Sequence, residues 1–199
     1  MSAVLLVRLK IPDLTALTAL DAGRKLLPQG YELTRLVREE LVLFEPSPGV
    51  SAGEFEPALA HAVETSNFFV NPNKERYRLL RAAERGPALV PAEGSWGILA
   101  RSRSGTEDLG LLDRLMREHP LRGLRSIRRA RIWWLWTRGP EGDTDADRCY
   151  PALGPVKSTA SGLLVNPHSE GWLRLDSPVS WSRIEAFLAE PASAALEPA

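Results

Sequence analysis

With one cysteine, Cys149, in 199 residues, the chain can form no internal disulfide and has no thiol cluster for structural zinc. Histidine is scarce too. His61, His119 and His168 lie far apart, none at metal-ligand spacing, so the sequence offers no metal site and no cofactor motif. Net charge is absent: 25 basic side chains meet 25 acidic ones, which removes the simplest electrostatic argument for a nucleic-acid or membrane-surface protein. No apolar run approaches the roughly 20 residues needed to cross a bilayer. The first ten residues lack the apolar core and small-residue cleavage pattern of a secretory signal, so the expected compartment is the cytoplasm.

What the chain does have is a repeat. Phe68-Phe69-Val70-Asn71-Pro72 leads, three residues on, to Glu75 and then Tyr77; Leu163-Leu164-Val165-Asn166-Pro167 leads to Glu170 and Trp172 in the same spacing. Self-similarity of this kind is read before secondary structure, because it fixes the architecture. Upstream, the order of elements also recurs. Apolar runs at 4–9 and 96–100 open each half, and leucines at three- and four-residue spacing (14, 17, 20, 27; then 109, 112, 115 with Met116) predict a helix after each. Two short apolar runs follow in each half, 31–37 with 41–44 and 124–127 with 132–136, and the chain is expected to reverse between them. Ser51 and Glu54 cap a second helix carrying Phe55, Leu59, Ala62 and Val63 on one face. Its counterpart is interrupted by Pro151, Gly154 and Pro155 in the stretch 150–160, which predicts a short, late or irregular helix.

The expected class is therefore α+β: two tandem ferredoxin-like βαββαβ repeats at 1–80 and 96–176, joined by a Pro/Gly-rich linker at 81–95. A C-terminal helix and tail at 177–199 carry Trp181, Ile184, Phe187 and Leu188 on one stripe. A sheet with one solvated face alternates apolar and polar residues. These strands do not, so both faces must be covered, and the expectation is that the repeats pack sheet to sheet as an internal pseudo-dimer.

The motif resembles the end of PurS, the small subunit of phosphoribosylformylglycinamidine synthase: an apolar strand start, then Asn-Pro-x-x-Glu-x-Tyr, matched by Asn71, Pro72, Glu75 and Tyr77 and again by Asn166, Pro167, Glu170 and Trp172. The family's Val-Arg-x-Gly-Lys pattern is matched loosely by Ile127-Arg128-Arg129-Ala130-Arg131 and only at Val37-Arg38 in the first half, where Glu39-Glu40 follow. The resemblance implies a non-catalytic subunit of purine biosynthesis that bridges the synthetase and glutaminase subunits of an amidotransferase, with the dimer built in cis. It implies no catalytic residue, and makes Asn71, Pro72, Glu75, Tyr77, Arg128, Arg131, Asn166, Pro167, Glu170 and Trp172 the partner-binding set.

A second class remains open, a ferredoxin-like module for RNA or an anionic ligand. Between 114 and 138 stand eight arginines against Glu118 alone, and Trp133, Trp134 and Trp136 share one strand. The plainer readings are a charged edge offset by the acids at 141–147, and core packing, since the strand has no glycine between its aromatics as an RNA-recognition strand requires. Asn-Pro by itself starts turns, and an exposed glutamate is usually solvated. Cys149 lacks an evident base, and at 102–106 Thr106 reads as a helix cap rather than part of an anion loop.

Overall fold

The computed structural model describes residues 2–105, 108–119, 121, 123–142, 145–158 and 161–191. The chain is mixed α+β with an antiparallel sheet. In the first half β1 (Ala3–Leu9), α1 (Leu14–Leu26), β2 (Glu32–Pro46), α2 (Ala52–Thr65) and β3 (Glu75–Leu80) follow in order. A short β4 (Ala88–Leu89) lies in the expected linker. The second half repeats the order with β5 (Trp96–Ser102), α3 (Leu109–Glu118), β6 (Leu124–Arg138), α4 (Ala146–Leu153) and β7 (Glu170–Leu175). Then come β8 (Val179–Ser180), paired with β4, and α5 (Trp181–Ala189).

Two expectations are corrected. The chain does not reverse after Val37 or after Ile127, because β2 and β6 each run straight through as 15-residue strands. Neither Arg38-Glu39-Glu40 nor Arg128-Arg129-Ala130-Arg131 contains the Gly, Asn or Pro a tight reversal requires, and positive φ among the described residues is confined to glycines elsewhere. Nor do two sheets stack. β2 pairs with β6 along its whole length, giving one six-stranded sheet in the order β3-β1-β2-β6-β5-β7.

That ribbon carries a pseudo-twofold axis. Leu5 faces Val42 and Leu79 across its two neighbours, and Ile98 faces Trp133 and Arg174 at the matching places in the second half. Counting back from Val42 and Trp133, Glu40 and Arg131 are each other's counterparts, and they pair with one another in register. The axis passes between them.

One sheet face is covered by α1 to α4 in two lobes, each built from both halves. Ala16 of α1 and Leu33 and Leu36 of β2 pack with Trp96, Ile98, Trp133, Leu135, Cys149 and Leu153 of the second half. In the other lobe Phe55, Leu59 and Val63 of α2 join β1, Val42 and Phe44 with Leu115 of α3 and Ile127. Burial of so many large side chains, each contributing roughly 1.5–3 kcal/mol, ties the halves into one core.

The opposite face is buried as the two-faced strands require, but by α5 and the β4–β8 ribbon. Val4, Leu6, Leu41, Leu43, Leu99, Ile132 and Trp134 meet Trp181, Ile184, Phe187 and Leu188 there. Ser51 caps α2, its Oγ accepting from Glu54 N at 3.3 Å and donating to Glu54 Oε2 at 2.9 Å, so that Glu54 binds the capping hydroxyl. α4 is short as expected but starts earlier, since Pro151 sits inside it and the chain after Gly154 is irregular. α3 is capped by Asp108; Thr106 lies outside the described residues.

Candidate functional site: a charged cavity on the pseudo-twofold axis

β2 and β6 are polar at their middles for a geometric reason. On a strand, alternate residues share a face. Arg38, Glu40, Arg129 and Arg131 all point to the helical side at the gap between the two lobes, where no helix crosses the axis. They line a cavity of about 390 Å³ together with Asp13, Glu75 and Glu170.

The ion pairs follow the symmetry until they reach the axis. Asp13 caps α1, accepting from Thr15 N at 3.0 Å and Ala16 N at 3.2 Å, and its other oxygen takes Arg38 Nε at 2.9 Å. Its counterpart Asp108 caps α3 through Leu111 N at 3.0 Å and meets Arg129 Nε at 3.6 Å. Arg129 also meets Glu40 at 3.3 Å. At the axis the halves differ: Arg131 pairs with Glu170, whereas the matching position beside Glu75 is Glu40, a second carboxylate. The second half supplies an ion pair where the first presents two acids.

The two Asn-Pro motifs form the same loop. In the first, Asn71 O accepts from Lys74 N at 3.0 Å and Glu75 N at 2.8 Å, Asn71 Oδ1 accepts from Asn73 N at 3.1 Å, and Glu75 Oε2 reaches back to accept from Asn71 N at 2.7 Å. In the second, Asn166 O takes Ser169 N at 3.1 Å and Glu170 N at 2.7 Å, Asn166 Oδ1 takes His168 N at 3.0 Å, and Glu170 Oε2 takes Asn166 N at 2.9 Å. Each motif glutamate therefore closes its own loop with one oxygen and faces the cavity. The loops, with exposed Asn71, Pro72 and Asn166 and half-buried Pro167, stand at the matching edges of the sheet.

Of the sequence-derived set, Glu75, Glu170 and Arg131 meet at the cavity. Tyr77 and Trp172 occupy matching strand positions, Tyr77 exposed and Trp172 packed against the lobe that holds Trp133. Arg128 goes elsewhere. It lies on the opposite face, 2.5 Å from Glu45. Aligning Val37-Arg38 with Ile127-Arg128 is one residue out of register; the counterpart of Arg38 is Arg129, and a slip of one reverses the face.

Asp13, Arg38, Glu40 and Arg129 were not legible as site residues, because their convergence depends on pairing between halves. The only sequence signal was that charges interrupt two otherwise apolar stretches at matching places.

The arginine-rich stretch is met by acids of both halves: in the first, Glu45 takes Arg125 at 3.4 Å and Arg128, and Glu40 takes Arg129; in the second, Glu118 takes Arg114, Asp108 takes Arg129 and Glu170 takes Arg131. The acids at 145 and 147 pair instead with Arg148 at 3.1 Å and Arg174 at 2.6 Å. Burial pushes the Glu45 carboxyl up, but the Ser126 hydroxyl and the guanidinium groups of Arg128 and Arg125 outweigh it and hold the group below its ordinary value. Three tryptophan N–H groups have acceptors: Trp96 donates to Thr137 Oγ1 at 3.0 Å, Trp134 to Glu39 at 3.0 Å and Trp181 to Arg85 O at 3.1 Å.

The cavity chemistry is recognition by alternating charge. Cys149 is distant from it, buried among Trp96, Leu153 and Leu164, and burial raises its thiol above the ordinary value. His119 packs edge-on against Phe68 with centroids 5.6 Å apart. Among the described residues no group of three or more His, Cys, Asp or Glu is placed to hold a metal ion, and no helix is long and apolar enough to cross a membrane. No protein-family model, no curated protein and no solved structure matches the chain.

Proposed function

We propose that the chain is a tandem PurS-like subunit that docks the synthetase and glutaminase subunits of phosphoribosylformylglycinamidine synthase in the cytoplasm. The observation that carries the reading is the pairing of the two Asn-Pro-x-x-Glu loops. The same closed loop occurs twice, at pseudo-twofold-related positions, with each glutamate facing one shared cavity. Such an arrangement offers a partner two matched polar footholds, beside two matched apolar ones. Leu14 and Leu109 follow the capping residues Asp13 and Asp108 and are 76% and 64% exposed, an unusual position for leucine.

The sheet order supports the internal dimer. Each lobe reads as a ferredoxin-like module whose edge strand and one helix come from the other half: β7-β5, then the C-terminal part of β6, then the N-terminal part of β2 with α1 above it. A duplicated subunit that dimerises through its long strand produces this pattern directly, and fusion converts an association equilibrium into an intramolecular one.

The test is affinity purification of the tagged chain from its own cells, with mass spectrometry of what is retained. The reading requires both the synthetase and the glutaminase, and requires that Leu14→Glu with Leu109→Glu remove them while circular dichroism is unchanged. Glu75→Gln and Glu170→Gln, which keep shape and lose charge, should each weaken retention. Recovery of neither subunit, or of nucleic acid lost steeply with salt, contradicts it.

A further inference from the structure

The face opposite helices α1 to α4 is occupied asymmetrically. α5 lies across it and ends at Arg101, whose side chain is 1% exposed, pairs with Glu190 at 2.6 Å and stacks over Phe187 at 5.0 Å. At the middle of the helix, Glu185 takes Arg85 at 2.9 Å. The pseudo-twofold relates Arg101 to Arg8: Ala100 and Val7, the residues before them, pair with Arg131 and Glu40 respectively. Among the described residues no helix lines the groove at Arg8.

That groove is open, with a volume of about 560 Å³. Arg8, Arg35, Arg76 and Arg78 line it, and among the described residues none of the four makes a salt bridge. Apolar side chains lie between them: the buried Trp134, the half-buried Trp136 with Arg35 stacked on it at 4.5 Å, and Val90, which is 63% exposed. The single carboxylate in the lining, Glu39, is held by the Trp134 N–H at 3.0 Å. The counterparts of Arg76 and Arg78 are Gly171 and Leu173, small or apolar, and the counterpart of Arg35 is Ser126, which donates to Glu45. The arginines without a salt bridge among the described residues thus gather on the half that α5 leaves open, whereas on the other half Arg101 pairs with Glu190 and Arg128 with Glu45. Burial first, then the neighbouring Arg76, push the Arg8 guanidinium below its ordinary value, with smaller contributions from Arg35 and Arg78 and an opposing one from Glu39.

We propose that this groove seats an acidic amphipathic helix of a partner protein, in the pose that α5 takes on the matching half of the sheet. The template is on the molecule: a helix whose apolar stripe (Ile184, Phe187, Leu188) meets the sheet while a carboxylate at its end meets the arginine. Four arginines in place of one call for a helix richer in acid than α5, and the partly exposed apolar side chains of Trp136 and Val90 call for an apolar stripe rather than a uniformly charged ligand. The groove opens on the other face of the sheet from the Asn-Pro cavity, with Arg8 bordering both and Tyr77 of the motif at its edge, and peptide binding to the isolated protein tests it separately from retention of the synthetase and glutaminase.

The probe is a fluorescein-labelled peptide of residues 177–191, which contains α5, with Ser182 and Ala186 changed to Glu, titrated with the full-length protein by fluorescence anisotropy. Binding tighter than about 100 μM is expected at low salt, weakened at least tenfold by Arg8→Glu with Arg78→Glu, both peripheral to the core, and at least fivefold when Phe187 and Leu188 of the peptide become Ser. Circular dichroism of the protein variant confirms that it folds. No binding up to about 1 mM, which corresponds to only about 4 kcal/mol, overturns the proposal. So does binding indifferent to the arginine reversals or to loss of the apolar stripe, or stronger binding of inorganic triphosphate or a short RNA at the same arginines.

Discussion

Val4 and Gly97 occupy the same place in the two halves and could hardly differ more. Val4 pairs with Leu43 and Leu80, Gly97 with Trp134 and Leu175. A Cβ built on Gly97 would come within 2.7 Å of the Trp134 ring. Valine beside leucine in one half and glycine beside tryptophan in the other fill the same space by different divisions of it, so the halves keep one backbone while their side chains diverge. The same holds for charge. Arg38 and Arg129 keep their capping aspartates, while Glu40 and Arg131 have opposite signs on the axis itself. Symmetry survives where the backbone depends on it and fails where side chains face a cavity or a neighbour.

The comparison can be broken most severely at the glycine. Gly97→Val alone overpacks the site and should cost about 3 kcal/mol, and Trp134→Leu alone should cost about 2 kcal/mol through the cavity it leaves. Together they install the first half's pair in the second, and the double variant should lose no more than about 2 kcal/mol. Urea denaturation of the four proteins measures the cycle; additive losses would show that the halves are not interchangeable there.

The arginine pair sharpens the contrast at lower cost. Arg101→Ala removes a buried guanidinium from Glu190 and Phe187, and should destabilise by about 2 kcal/mol, whereas Arg8→Ala, in the open groove, should change stability by less than about 0.5 kcal/mol. Equal losses at the two positions would mean that Arg8 is as fully engaged as its counterpart.

Smaller still is the pH effect at the far ends of the central ribbon. There Glu45 faces Ser126, and the matching pair is Arg35 with Trp136, stacked at 4.5 Å. Glu45 titrates below its ordinary value near 4.5, so its contribution is present above that pH and is lost as the pH falls through the depressed value. Glu45→Gln should lower stability at pH 7 by about 1 kcal/mol and flatten its decline below pH 4.5 relative to the parent, as read by thermal unfolding across pH 3–7. The Arg35–Trp136 end contributes no such acid dependence.

Much of this was legible. The positions of the helices, the Ser51 cap and the need to cover both sheet faces follow from spacing and patterning, and Trp134 and Phe44 are buried as core packing requires, whereas α3 and α5 are capped by Asp108 and Ser180 rather than by Thr106 and Ser177. Two things were not. An Arg-Glu-Glu interruption between apolar runs reads locally as a turn, and only the partner strand shows it to be the polar centre of a continuous one. The alignment of Arg128 with Arg38 is as good by residue type as that of Arg129, and only the ladder register separates them. The site was obscured for the same reason: its charges come from elements that meet across the axis, and periodicity within one element carries no information about the other.

The account stands on the β2–β6 ribbon as the centre of one sheet. Amide hydrogen exchange of the intact protein tests it most directly: the amides bonded across β2 and β6 between 36–44 and 127–135 should exchange only through global unfolding and form the slowest set, well behind the edge strands β3 and β7. Exchange along β2 and β6 as fast as at those edges would mean that the halves do not share a sheet.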